Sequence, residues 1–103
     1  MKIFCAFDCY ADILEVPEEV GGRIKKYRNK FLDWLYDRKN HHGYWVKLDN
    51  GNGKAVYGVQ YGSDAFVDWL NKKVLKGKEP RAVVIERDLD RDTYTGDIPY
   101  IWF

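Results

Sequence analysis

The sequence predicts an α+β domain: a ferredoxin-like βαββαβ two-layer sandwich with an antiparallel sheet and an extra C-terminal edge strand. Three observations lead there. The segment Asp49-Asn50-Gly51-Asn52-Gly53 divides two strand-like runs, Tyr44–Leu48 and Lys54–Val59. A helical apolar stripe lies on each side of that pair. Extended apolar segments precede the first stripe and follow the second. At 103 residues the chain reads as one domain over 1–103, long enough to bury about 65% of its unfolded surface.

Positions 3, 5, 7, 9, 11 and 13 are Ile, Cys, Phe, Cys, Ala and Ile. Period-two alternation of this kind reads as one long strand, or two short ones with a bulge near Asp8. Pro17 fits a first helical position, and Glu18 and Glu19 suit the positive end of a helix dipole. Val20, Ile24, Tyr27, Phe31, Trp34 and Leu35 then form one stripe. Gly21 and Gly22 disturb it, each by about 1 kcal/mol relative to alanine. The helix therefore begins properly at Arg23 and ends over Asn40-His41-His42-Gly43.

Asn-Gly pairs tolerate the positive φ of a tight turn, so Asp49–Gly53 reads as a hairpin turn. Gly62-Ser63-Asp64 opens a second helix with Ser63 as its N-cap. Phe66, Trp69, Leu70 and Val74 are its buried face, and Lys72, Lys73 and Lys76 suit its last turns. Gly77 is the C-cap and Pro80 bars continuation. Arg81–Leu89 reads as a strand buried on both faces. A polar loop covers residues 90–96. Ile98–Phe103 is a final edge strand, since Pro99 cannot donate to a ladder.

Net charge is +1, yet charge is segregated. Residues 20–47 hold eight Lys/Arg against Asp33 and Asp37, and residues 72–81 hold five against Glu79. Acidic residues gather in 8–19 and 86–97. Such a dipolar surface steers charged partners. An apolar content of 46% argues against disorder. Cys5 and Cys9 sit four apart in an extended segment, about 13 Å, too far for a disulfide. That spacing, an N-terminal run too short for a signal-peptide core, and no apolar run of membrane-span length point to a soluble cytoplasmic protein with no membrane association.

No catalytic set survives inspection, so the chain reads as a non-enzyme without cofactor or metal. Asp88-x-Asp90-x-Asp92 lacks the Gly and Glu of a calcium loop, where Thr93 and Pro99 stand instead. Cys5, Cys9, His41 and His42 lack zinc-ligand spacing. A Cys–His nucleophile pair has no visible base or oxyanion pocket. Gly51-Asn52-Gly53-Lys54 lacks the remaining residues of a phosphate loop.

The leading expectation is a small protein-binding module, acting stoichiometrically as an inhibitor, immunity-type protein or complex subunit. It rests on the aromatic content of 17% and the segregated charge. The expected anchors are Tyr57, Tyr61, Tyr94, Tyr100 and Trp102, on the sheet face away from the helices and at the C-terminal edge. The partner is another protein, or a second copy paired through an edge strand. The alternative is a nucleic-acid-binding domain, in which Arg23, Lys25, Lys26, Arg28 and Lys30 line phosphates and open aromatics stack bases.

Overall fold

The computed structural model describes residues 1–49, 51, 53 and 55–103. Its elements are β1 (Lys2–Ala6), β2 (Ala11–Glu15), α1 (Glu18–Gly21), α2 (Ile24–Tyr36), β3 (Trp45–Asp49), β4 (Ala55–Val59), α3 (Ser63–Trp69), β5 (Val83–Leu89) and β6 (Tyr100–Trp102). A π-helical turn, Leu70–Val74, continues α3, and a 3₁₀ turn, Arg91–Thr93, follows β5. The α+β class stands, but the ferredoxin-like order is not confirmed. Among the described residues, six strands divide between two sheets.

The four-stranded sheet runs β5-β2-β1-β6. It is mixed rather than antiparallel: β1 is antiparallel to β2, and β6 is parallel to β1. The first departure from expectation is at residues 7–10. The chain reverses there, with the Phe7 amide donating to the Tyr10 carbonyl at 2.8 Å and the two rings stacked at 5.0 Å. The reversal resets the pleat phase. Ile3, Cys5 and Phe7 face the helices, whereas on β2 it is Leu14, not Ile13, that does so.

Both helices cover one side of this sheet, and their stripes are buried as spaced: Ile24, Phe31 and Leu35 from α2, and Phe66, Trp69 and Leu70 from α3 and its continuation. Phe31 is the hub. Its ring lies 5.3 Å from Phe66, 5.7 Å from Trp69, 5.8 Å from Tyr61, 5.9 Å from Phe103 and 6.0 Å from Trp34. Rings meeting at such separations add to the burial energy of the side chains that carry them. The Gly21-Gly22 break separates α1 from α2, in line with the expected disturbance. The π-helical turn is capped at Leu75 rather than at Gly77, and Lys76 and Gly77 follow with φ 51° and 80°.

β5 is an edge strand and not a doubly buried one. With helices on one face only, Val83 and Ile85 remain 45% and 43% exposed on the other. Its edge is interrupted at Asp88, which takes φ 57°, and its pairing with β2 slips twice. Bulges of this kind blunt a sheet edge against stray pairing. β6 is the opposite edge, as Pro99 suggested.

The pair β3–β4 forms a two-stranded sheet of its own. Gly51 and Gly53 adopt φ 77° and 71°, as a tight turn needs. Asn50, Asn52 and Lys54, the other residues in and beside the expected turn, lie outside the described residues. The molecule is elongated, 47 × 33 × 19 Å.

Candidate functional site

The sequence-derived anchors separate into three environments. Tyr94 and Tyr100 do lie on the sheet face away from the helices, but they are half-buried. With Phe4 they form a second, smaller core: Phe4–Tyr94 5.0 Å, Phe4–Tyr100 5.7 Å and Tyr94–Tyr100 5.0 Å. The Tyr94 hydroxyl donates to the Ile98 carbonyl at 2.6 Å, closing the polar loop over that core. Tyr61 belongs to the main core, and burial, foremost, pushes its hydroxyl up to about 12. Tyr57 and Trp102 are the open ones, 51% and 56% exposed.

The basic residues of α2 also separate. Arg23, Lys25, Lys26 and Lys30 are exposed. Arg28 is engaged: Nε donates to the Trp102 carbonyl at 2.8 Å, and the guanidinium lies 5.9 Å from the Trp102 ring and 5.7 Å from that of Phe103. These contacts pin β6 to α2 and occupy the planar group that would otherwise grip a phosphate.

The buried nucleophiles are inaccessible. Cys5 is enclosed, and its thiol is pushed far up by burial first and by Asp12 second. The Ser63 hydroxyl is also buried and donates to Asp12 Oδ2. Ser63 was expected as an N-cap. Gly62 holds that position instead, because the buried Asp12 carboxyl captures the hydroxyl. Asp12 Oδ1 accepts from the Asp88 amide at 3.0 Å. One carboxyl thus ties β2, α3 and the β5 bulge together. Its sequence signal is its place two residues before Leu14, in the core phase of β2.

The feature that stands out to solvent is the β3–β4 hairpin. In the observed register Trp45 faces Val59 and Lys47 faces Tyr57, while Val46 faces Gly58 and Leu48 faces Val56. Cross-strand partners share a face. One face therefore carries Trp45 and Tyr57, and the other carries Val46, Leu48 and Val56. Leu48 and Val56 are 49% and 41% exposed. Leu48 lies over Gly58, where an added Cβ would come within 3.1 Å of its Cδ1. Tyr57 and Trp45 line a cavity of about 480 Å³ with Arg38 and His41.

His42 fastens the root of this hairpin. Its Nδ1 accepts the Tyr44 amide at 3.2 Å, so Nε2 carries the proton and donates to the Leu35 carbonyl at 2.7 Å. That carbonyl belongs to the last turn of α2, where helix carbonyls lack intrahelical donors. The imidazole stacks on Trp45 at 5.2 Å and meets Trp34 at 4.8 Å. Trp45 Nε1 donates to the Asn40 carbonyl at 2.8 Å. The helix expected to end over residues 40–43 stops at Tyr36, with Asp37 as its C-cap, so His42 lies beyond it. Its role as a fastener depends on partners set by the fold.

No family model matches this chain, no curated protein resembles it, and no solved structure matches its fold.

Proposed function

We propose that this domain is a non-enzymatic protein-binding module that acts stoichiometrically and grips its partner with the β3–β4 hairpin. The observation that carries this reading is a two-stranded ribbon with large apolar side chains exposed on both faces, Leu48 and Val56 on one and Tyr57 on the other. A lone two-stranded ribbon is marginal in water, and apolar side chains concentrated on it gain free energy when a partner covers them. Among the described residues no further strand joins the outer edges of the ribbon, which suits main-chain pairing with another protein. Of the expected anchors, Tyr57 remains central and Trp102 can serve on the edge strand β6. Tyr61, Tyr94 and Tyr100 act indirectly, by holding the cores.

The test is a paired substitution, Leu48→Asp with Val56→Asp. Both side chains are exposed but directly opposite one another, so the two acids should weaken the strand pair by up to about 1 kcal/mol, and unchanged cross-strand amide contacts along β3 and β4 verify that the ribbon still forms. Capture of the binding protein from a lysate of the source organism, or self-association in sedimentation equilibrium, should be lost. Full retention of either interaction would remove the hairpin from the contact surface.

A further inference from the structure

A second opening lies between the hairpin root and the π-helical turn. It is a cleft of about 430 Å³ with an aromatic floor, made by Trp34, Tyr44 and Trp69. His42 borders it, but both its ring nitrogens are already committed. The floor therefore offers ring faces more than hydrogen bonds. Gly43 leaves one wall low, with nothing within 4 Å of where a Cβ would stand.

The rim is charged. The Leu75 amide reaches back to the Leu70 carbonyl at 2.8 Å, the wide i→i+5 spacing of a π turn. Asp68, Lys72 and Lys73 all border the cleft. Widened turns of this kind are frequent at functional sites. Lys72 pairs with Asp68 at 3.0 Å, in solvent. Lys73 has no ion pair among the described residues. Lys76 is exposed three residues on, and then the basic run ends: Lys78 shares another cleft with Glu18 and Glu19.

We propose that this cleft binds a short acidic segment of the protein partner. Its carboxylates would meet Lys72 and Lys73, and an aromatic or large apolar side chain would lie on the Trp34–Tyr44–Trp69 floor. The proposal rests on the protein-binding reading above and specifies the chemistry of the partner. Charge complementarity favours a peptide over a nucleic acid. A continuous phosphate backbone would run from the two lysines onto Asp68 or toward Glu18 and Glu19. A short acidic peptide need not, and its backbone amides can donate to Asp68.

The full ¹⁵N-labelled chain is titrated at low salt with the capped peptide Glu-Glu-Phe-Glu-Glu and with Lys-Lys-Phe-Lys-Lys. Saturable shifts at the Gly43, Tyr44, Lys72 and Lys73 amides and at the Trp34 indole are expected with the acidic peptide only. The paired change Lys72→Gln and Lys73→Gln removes both charges without placing acids at the helix end, and should weaken binding about fivefold or more while amide shifts away from the cleft stay unchanged. The proposal is overturned by absence of saturation at millimolar peptide, by shifts centred elsewhere, or by equal binding of the lysine peptide. Stronger binding of a thymidine oligonucleotide at the same residues would overturn it too, and assign the cleft to nucleic acid. If the peptide fails while Leu48→Asp with Val56→Asp still abolishes capture, the cleft assignment falls and the module reading stands.

Discussion

Replacing Asp12 with alanine removes the two hydrogen bonds that tie β2 to the start of α3 and to the β5 bulge. Asp12 is only 3% exposed. Its Oδ2 accepts from Ser63, and its Oδ1 accepts from the Asp88 amide at 3.0 Å. Ser63 is equally buried, so its hydroxyl cannot turn to water, and a stranded buried donor costs about 1–3 kcal/mol. Asp88 is exposed and its amide can be rehydrated, which limits that loss to about 1 kcal/mol. Asp12→Ala should therefore destabilise by about 2–4 kcal/mol, a large share of the roughly 5–15 kcal/mol of a small domain. Urea unfolding followed by tryptophan fluorescence measures this, with an unchanged m-value as the check that the unfolded state is unaltered. Asp12→Ala combined with Ser63→Ala should cost less than the sum of the single changes by about 1 kcal/mol, because no hydroxyl is then stranded. A loss under about 0.5 kcal/mol for Asp12→Ala, or strict additivity in the double variant, would refute the carboxyl as a lock between layers.

His42→Ala should loosen the hairpin root while sparing the sheet. Two hydrogen bonds and the Trp45 stack are lost, about 2 kcal/mol together, and hydrogen exchange should rise at Tyr44 and along β3 and β4 more than in β1. In acid, Asp64 matters. The Arg87 guanidinium, donating to it twice at 2.8 Å, holds its carboxyl below the usual carboxylate range. A depressed folded value means the pair stabilises fully above the unfolded value of about 3.9 and is lost as pH falls through the lower folded value. Both groups are well exposed, so the effect is small. Arg87→Gln should lower the melting temperature slightly at neutral pH, and the two proteins should converge at the acid end of a pH series of thermal melts.

Local signals were legible where a single face decided the outcome. The stripes through Phe31 and Leu35 and through Phe66 and Leu70, and the Pro99 edge strand, could all be read. The reversal at Phe7-Asp8-Cys9-Tyr10 could not, because it carries none of the Gly, Pro or Asn-Gly punctuation that announces a turn. Without that turn, residues 3–13 read as one long strand or two short ones joined by a bulge, and the order of elements reads as ferredoxin-like. Period-two alternation in β3 and β4 gives pairing but not whether the pair joins a larger sheet. Asp12 could not be read as a tie between layers because its partners, Ser63 and Asp88, are 51 and 76 positions away. Of the proposed surface, Tyr57 stands out in the sequence as an aromatic, whereas Leu48 and Val56 resemble any core-facing strand residues until their exposure is seen.

Phe31 concentrates cohesion on one side of the molecule, and His42, Tyr44, Trp45 and Val59 join the ribbon to it at its root. Such a division lets the outer ribbon positions be reshuffled at little cost to folding. A library randomised at 46, 48, 56 and 57 on an otherwise unchanged chain would be a practical route to new recognition specificities from this scaffold.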